Sequence, residues 1–151
     1  MNTSANTTAN STTEKNLALM RTAYKTVESG DLDASVELLT ENFIANLPGL
    51  PDPLIGREIW RLGSQAMWEA FPDLKITVED MFAVDDKVVV RVRFQGTHGG
   101  TFQGVAATGR AVSFRSIEIY RFEGDKVAEE WVAPDLMGIM GQISPAPTAE
   151  H

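Results

Sequence analysis

Three ionisable residues stand where short strands would set them into a sheet: His98, Glu118 and Glu130. Glu118 lies in Ile117-Glu118-Ile119-Tyr120 and Glu130 in Glu129-Glu130-Trp131-Val132, so apolar strands carry acids where a plain core strand would carry valine or isoleucine. Two carboxyls sharing a partly desolvated hollow do not both ionise readily, and the one that keeps its proton is in the state general acid/base catalysis needs. Whether these two share a face depends on the connection between their strands, because opposite residues of an antiparallel pair point the same way. A two-residue Gly124-Asp125 loop sets Glu118 opposite Trp131 and sends Glu130 to the other face. An odd-length loop puts Glu118, Tyr120, Glu130 and Val132 on one face. The competing role for each glutamate is a cross-strand charge ladder with Arg91, Arg93, Arg115 or Arg121.

His98 ends a strand beside Gly96, Gly99 and Gly100. It could shuttle a proton, donate to a substrate oxygen, or cap its loop by bonding to backbone. Asn46, just before Pro48-Gly49-Leu50-Pro51-Asp52-Pro53, is either a polar contact at a cavity mouth or a turn residue. Tyr24, Trp60, Met67, Trp68 and Phe71 supply bulky apolar surface that either packs a core or lines a cavity above the sheet. His98 and His151 are the only histidines and there is no cysteine, so no metal cluster is expected. No Gly-rich phosphate loop, Gly-x-Ser-x-Gly elbow or His-Glu-x-x-His pair is present, and no cofactor is called for.

The elements that must position these residues follow from periodicity. Residues 1–13 are almost all Asn, Thr, Ser and Ala and read as a disordered tail. Ser11-Thr12-Thr13-Glu14 has capping-box spacing, and Leu17, Met20, Tyr24 and Val27 continue at helical spacing to Gly30. A second short helix carries Leu32, Val36 and Leu39, and Phe43 to Leu47 reads as a brief strand. A third helix, from about Arg57 to Phe71, is apolar over more than half its circumference and is expected to be buried on most sides. From Leu74 the period becomes that of strands: Leu74–Val84, Lys87–Gln95, Val112–Phe122 and Lys126–Val132. A last short helix follows Pro134-Asp135, with Leu136, Ile139, Met140 and Ile143 on one side. Helices first and antiparallel strands after make the fold α+β, one domain over 14–143, with a loose tail at 144–151.

A net charge of −8 with 13 scattered Lys and Arg argues against nucleic-acid and anionic-membrane partners. No apolar run reaches the length of a membrane span. The absence of cysteine suits a reducing cytoplasm.

The words Pro48-Gly49-Leu50-Pro51, Gly56-Arg57-Glu58, Ala70-Phe71-Pro72-Asp73-Leu74, Gly96-Thr97-His98-x-Gly100-x-Phe102, Thr108-Gly109-Arg110, Ile119-Tyr120-Arg121-Phe122, Glu130-Trp131 and Pro134-Asp135-Leu136-Met137-Gly138 carry a resemblance. From about Asn16 to Ile143 the chain resembles the SnoaL-like polyketide cyclases of the nuclear transport factor two-like superfamily. The resemblance implies a cone-shaped half-barrel: a strongly curved antiparallel sheet, three N-terminal helices over its concave face and a short C-terminal helix. It also implies a homodimer formed through the sheet, no cofactor, and ring closure by aldol condensation with an aspartate as acid/base. That aspartate falls on Val132, and the family's histidine on the preceding strand falls on Glu118.

The expected function is therefore a cofactor-free acid/base enzyme acting on a hydrophobic, oxygenated, polyketide- or steroid-like molecule by cyclisation or isomerisation. Glu118, Glu130 and His98 carry the chemistry, while Tyr24, Asn46, Trp60, Met67, Trp68, Phe71, Tyr120 and Val132 contact the ligand. The alternative is a binding or accessory protein that kept the pocket and lost the aspartate.

Overall fold

The computed structural model describes residues 3–144, with side chains from residue 11 onward. In chain order the elements are α1 (Thr3–Glu28), α2 (Leu32–Val36), β1 (Leu39–Asn46), β2 (Leu54–Ile55), α3 (Arg57–Ala70), β3 (Lys75–Val84), β4 (Lys87–Thr97), β5 (Ala111–Glu123), β6 (Lys126–Pro134) and α4 (Leu136–Ile143). The six strands form one curved, unclosed sheet in the order β2-β1-β6-β5-β4-β3. This is the expected α+β class, with two differences in detail. Helix α1 begins at Thr3 rather than Ser11, since no proline or glycine stands before Gly30 to stop a helix once nucleated. The sheet is mixed, because β1 lies parallel to β6 while every other pair is antiparallel. No hairpin constrains β1, whose partner is separated from it by most of the domain, so its direction is set by packing. The expected loose tail beyond Ser144, with His151, lies outside the described residues.

The site depends on the hairpin of β5 and β6. Its turn is the two-residue Gly124-Asp125, with Glu123 opposite Lys126 and Phe122 opposite Val127. Gly124 takes φ 59°, the positive value the first position of such a turn demands. The pairing then shifts: Arg121 stands opposite Glu129, and Ala128 is an extra residue on β6. This β-bulge turns the rest of the strand over, so that Tyr120 faces Glu130 and Glu118 faces Val132. Val127 and Ala128 are both buried, as a change of face between neighbours requires. The sequence offered an even loop with the glutamates apart or an odd loop with them together. The chain has the even loop and brings them together through the bulge.

Alternation sets the two faces of the sheet. Val88, Val90 and Val92 of β4 and Val112, Phe114 and Phe122 of β5 point into the concave side, where Met20, Tyr24, Phe43, Phe71, Ile139 and Ile143 join them in the core. The convex side carries the arginines. Glu79 accepts from Arg93 at 2.9 Å and Arg115 at 2.7 Å with Arg91 at 3.7 Å, and Arg121 meets Glu123 at 2.7 Å and Glu129 at 3.1 Å.

Helix α3 departs from expectation. Among its residues only Ala70 is fully buried, and Leu62 is 62% exposed. The helix roofs a cavity instead of sitting inside packed core. Ile59, Trp60, Gly63, Ser64, Met67 and Trp68, at helical spacing, form the face it turns downward.

Candidate active site

A cavity of about 280 Å³ lies between the sheet and helices α1 and α3. Such a volume falls at the low end of small-molecule sites, roughly 300–1,000 Å³. Its walls are apolar and aromatic: Met20 and Val27 of α1, the lower face of α3, Leu39 and Ala45 of β1, Phe94 of β4, Phe102 of the following loop and Phe114 of β5. Its polar groups sit together on the inward face of the β5–β6 hairpin and on α1. They are Ser116, Glu118, Tyr120, Glu130 and Tyr24, and Ser35 of α2 and Ser64 of α3 add hydroxyl-bearing residues elsewhere in the wall. Among the described residues no Lys, Arg or His lines the cavity.

Glu118 is 8% exposed and Glu130 5%. Tyr24, two turns after Leu17 on α1, donates its hydroxyl to Glu118 Oε1 at 2.7 Å. Tyr120 donates to the same oxygen at 3.2 Å and also lies 3.2 Å from the Tyr24 hydroxyl. The two rings meet edge to face with centroids 6.2 Å apart. Each phenol has one proton to give, so both are committed to Oε1 or to one another, and neither serves Oε2. Burial raises the Glu118 carboxyl above its ordinary value, and the hydrogen bonds from Tyr24 and Tyr120, with Ser116 close by, oppose that rise. Burial beside these carboxylates also holds both phenols well above their ordinary value, so they remain donors.

Glu130 stands opposite Tyr120 and diagonal to Glu118. No hydrogen bond or ion pair reaches its carboxyl among the described residues. Burial first and the charge of Glu118 second push it up to about 8. The hydrogen bonds to Glu118 favour its anion and nothing comparable favours the anion of Glu130, so Glu130 is the carboxyl of the pair set to keep its proton. One environment stabilises the anion and the other the acid, the separation that divides base from acid between two carboxyls. The alternative charge ladder belongs to Glu79 and Glu129 on the convex face.

The remaining site candidates divide cleanly. Tyr24, Trp60, Met67, Trp68, Tyr120 and Val132 line the cavity. Asn46 does not: its Nδ2 donates to Glu129 Oε2 at 3.1 Å and to the Glu130 carbonyl at 2.8 Å, which ties β1 to β6. Phe71 is fully buried behind the wall, against Phe102, Phe114 and His98. His98 is also fully buried outside the cavity, with Thr108 donating its backbone N–H to Nδ1 at 3.3 Å and its hydroxyl oxygen 2.9 Å away. It caps the Gly99–Gly109 loop. Ser116, Phe94 and Phe114 were missed although strand alternation with Glu118 and across to β4 would have found them. Phe102 lies on a loop without periodicity and had no such signal. Among the described residues no cluster of three His, Cys, Asp or Glu could hold a metal.

Several solved structures share this architecture. A protein of Jannaschia sp. CCS1 assigned as a SnoaL-like polyketide cyclase superposes with a TM-score of 0.82 at 25% identity, over 89% of this chain and 95% of that one. AclR of Streptomyces galilaeus, assigned as a hydroxylase, does so at 0.78 and 25%, over 89% and 98%. IdmH of Streptomyces antibioticus, assigned as a polyketide cyclase, does so at 0.73 and 29%, over 83% and 95%. None of the curated proteins matches the chain. The family model for the SnoaL-like polyketide cyclases matches residues 18–143, which takes in α1 from Ala18 through α4 and every residue of the cavity floor. The chain belongs to the SnoaL-like polyketide cyclase family.

Proposed function

We propose that this protein is a cofactor-free acid/base enzyme that removes a proton beside a carbonyl of a hydrophobic, oxygenated molecule and then closes a ring or moves a double bond. The single observation that carries the reading is a pair of buried carboxyls facing one apolar cavity with no cation in its lining. Glu118 Oε2 takes the α-proton. The C–H electrons pass through the new C–C double bond to the carbonyl oxygen, and the protonated carboxyl of Glu130 donates to that oxygen as its charge grows. The enolate carbon then attacks a second carbonyl, or is reprotonated elsewhere, and Glu118 returns its proton. Both routes are redox-neutral, so the reaction requires no electron carrier. Trp60, Met67 and Trp68 hold the carbon skeleton, while Tyr24 and Tyr120 keep Glu118 ionised and aimed.

A panel of bicyclic and tricyclic ketones in D2O tests this by NMR. Loss of α-proton signal catalysed by the full chain, and reduced at least 100-fold by Glu118→Gln, is the expected result. A binding protein without chemistry is the second reading, favoured by Val132, which lines the cavity at the position where the family resemblance puts an aspartate. Ligands that bind without any exchange would establish it. The protein further reads as a homodimer joined through the convex face of the sheet. A cytoplasmic location agrees with the cysteine-free sequence. No helix among the described residues is long and apolar enough to cross a membrane.

A further inference from the structure

We propose that Ser116 is the hydrogen-bonding anchor of the cavity, and that the cavity takes an uncharged ligand through a carbonyl oxygen held by that hydroxyl while turning carboxylates away. The proposal rests on the acid/base reading for which part of the ligand lies over Glu118, but binding alone tests it.

Ser116 is 2% exposed and, among the described residues, its Oγ has no hydrogen-bond partner, although it lines the cavity. A buried hydroxyl without a partner is rare in a native fold, because it gave up water for nothing. Its surroundings offer no replacement. Across the hairpin it faces Pro134, which has no N–H, and on β4 it faces Val92. Phe114 precedes it on the same face, stacked on Phe94 with centroids 5.1 Å apart. Glu118 is the one polar group beside it: the Ser116 hydroxyl helps to hold that carboxyl down, yet its Oγ makes no hydrogen bond of ordinary length and angle to it. The Ser116 hydroxyl is therefore only loosely engaged and can turn to a ligand acceptor, two residues along the strand from the proposed base.

The charge of the ligand follows from the same wall. An anion would lose its water, meet no Lys, Arg or His, and lie beside the carboxylate of Glu118. A cation is not called for either, since Glu118 has its charge met by two phenols and Glu130 holds a proton. A neutral carbonyl meets the Ser116 hydroxyl without either penalty.

Fluorescence titration, reading Trp60 and Trp68 in the cavity wall, follows three probes of similar size on the full chain at pH 6: α-tetralone, tetralin (the same rings without oxygen) and 1-naphthoate. The expected result is α-tetralone binding about tenfold more tightly than tetralin and at least tenfold more tightly than 1-naphthoate. Ser116→Ala brings α-tetralone to within about threefold of tetralin, with tetralin affinity unchanged, and Ser116→Thr restores the margin. Glu118→Gln combined with Glu130→Gln raises 1-naphthoate affinity about tenfold. Equal affinity of the wild type for α-tetralone and tetralin overturns the proposal. So does a margin that survives Ser116→Ala, or 1-naphthoate binding as tightly as α-tetralone. The margin present without α-proton exchange keeps the anchor and removes the acid/base reading. Exchange with affinity indifferent to Ser116→Ala does the reverse.

Discussion

Glu130 has the carboxyl that sets the pH behaviour of the molecule. Burial and the nearby Glu118 charge hold it at about 8, while in the unfolded chain it titrates at the ordinary 4.5. Below 4.5 both states are protonated and stability is unaffected. As pH rises from 4.5 to about 8 the unfolded chain gains a solvated charge that the folded one cannot match, so stability falls, by on the order of 5 kcal/mol once pH passes 8. Glu130→Gln removes this dependence, and urea denaturation at pH 5 and pH 8.5 is expected to show the variant more stable than the wild type at the higher pH only. Activity has a matching profile. It falls on the acid side as Glu118 is protonated, at a pH above the usual glutamate range, and on the alkaline side through about 8 as Glu130 ionises. Glu130→Gln keeps a neutral donor and should abolish the alkaline limb while lowering kcat about tenfold, measured as α-proton exchange across pH. The types Glu118 and Glu130 were legible in the sequence as acids in apolar strands. The phenol pair on Oε1 was not, because Tyr24 and Tyr120 are 96 positions apart and meet only when α1 lies across the sheet.

At the scale of elements the sequence showed where strands and helices run but not how they join. The loop length between β5 and β6 was readable from Glu123-Gly124-Asp125, yet the facing of the glutamates turns on Ala128, a small residue whose type carries no bulge signal. The parallel course of β1 was likewise hidden, since its partner lies more than 80 positions away. The loop after β4 is held by another feature that types alone conceal. Gly99 and Gly100 donate their N–H groups to the Ala70 carbonyl at 2.9 and 3.1 Å, docking the loop on the C-terminus of α3. A Cβ on Gly100 would overlap the carbonyl oxygen of Glu69, a backbone atom that cannot step aside. Gly100→Ala should therefore cost about 2–4 kcal/mol in urea denaturation and release Phe102 from the cavity wall. Gly141 gives the contrast within α4: a Cβ there meets nothing within 4 Å, and Gly141→Ala should stabilise by about 0.5–1 kcal/mol.

The whole molecule presents one face that the described residues leave uncovered. Phe82, Val89, Ile119 and Trp131 form a row across four strands of the convex side, and Phe82, Val84 and Ile117 are each about half exposed. Charge lies unevenly at the two ends of β5 on this face. At the Arg115 end three arginines converge on Glu79, a positive excess that remains with Asp80 beside Arg91 counted. At the other end Arg121 serves both Glu123 and Glu129. A two-fold axis near Ile117 and Ile119 would set the positive end of one copy on the negative end of its partner and cover both apolar rows, as a self-complementary interface requires. Light scattering is expected to give a dimer, and Ile117→Glu, which puts a charge into the middle of that patch, to give a folded monomer. A monomeric wild type, or an Ile117→Glu dimer of undiminished affinity, would rule this face out. The cavity opens on the opposite side of the sheet, so the monomer should keep its ketone binding within about threefold. That result would separate the assembly built on one face of these strands from the chemistry built on the other.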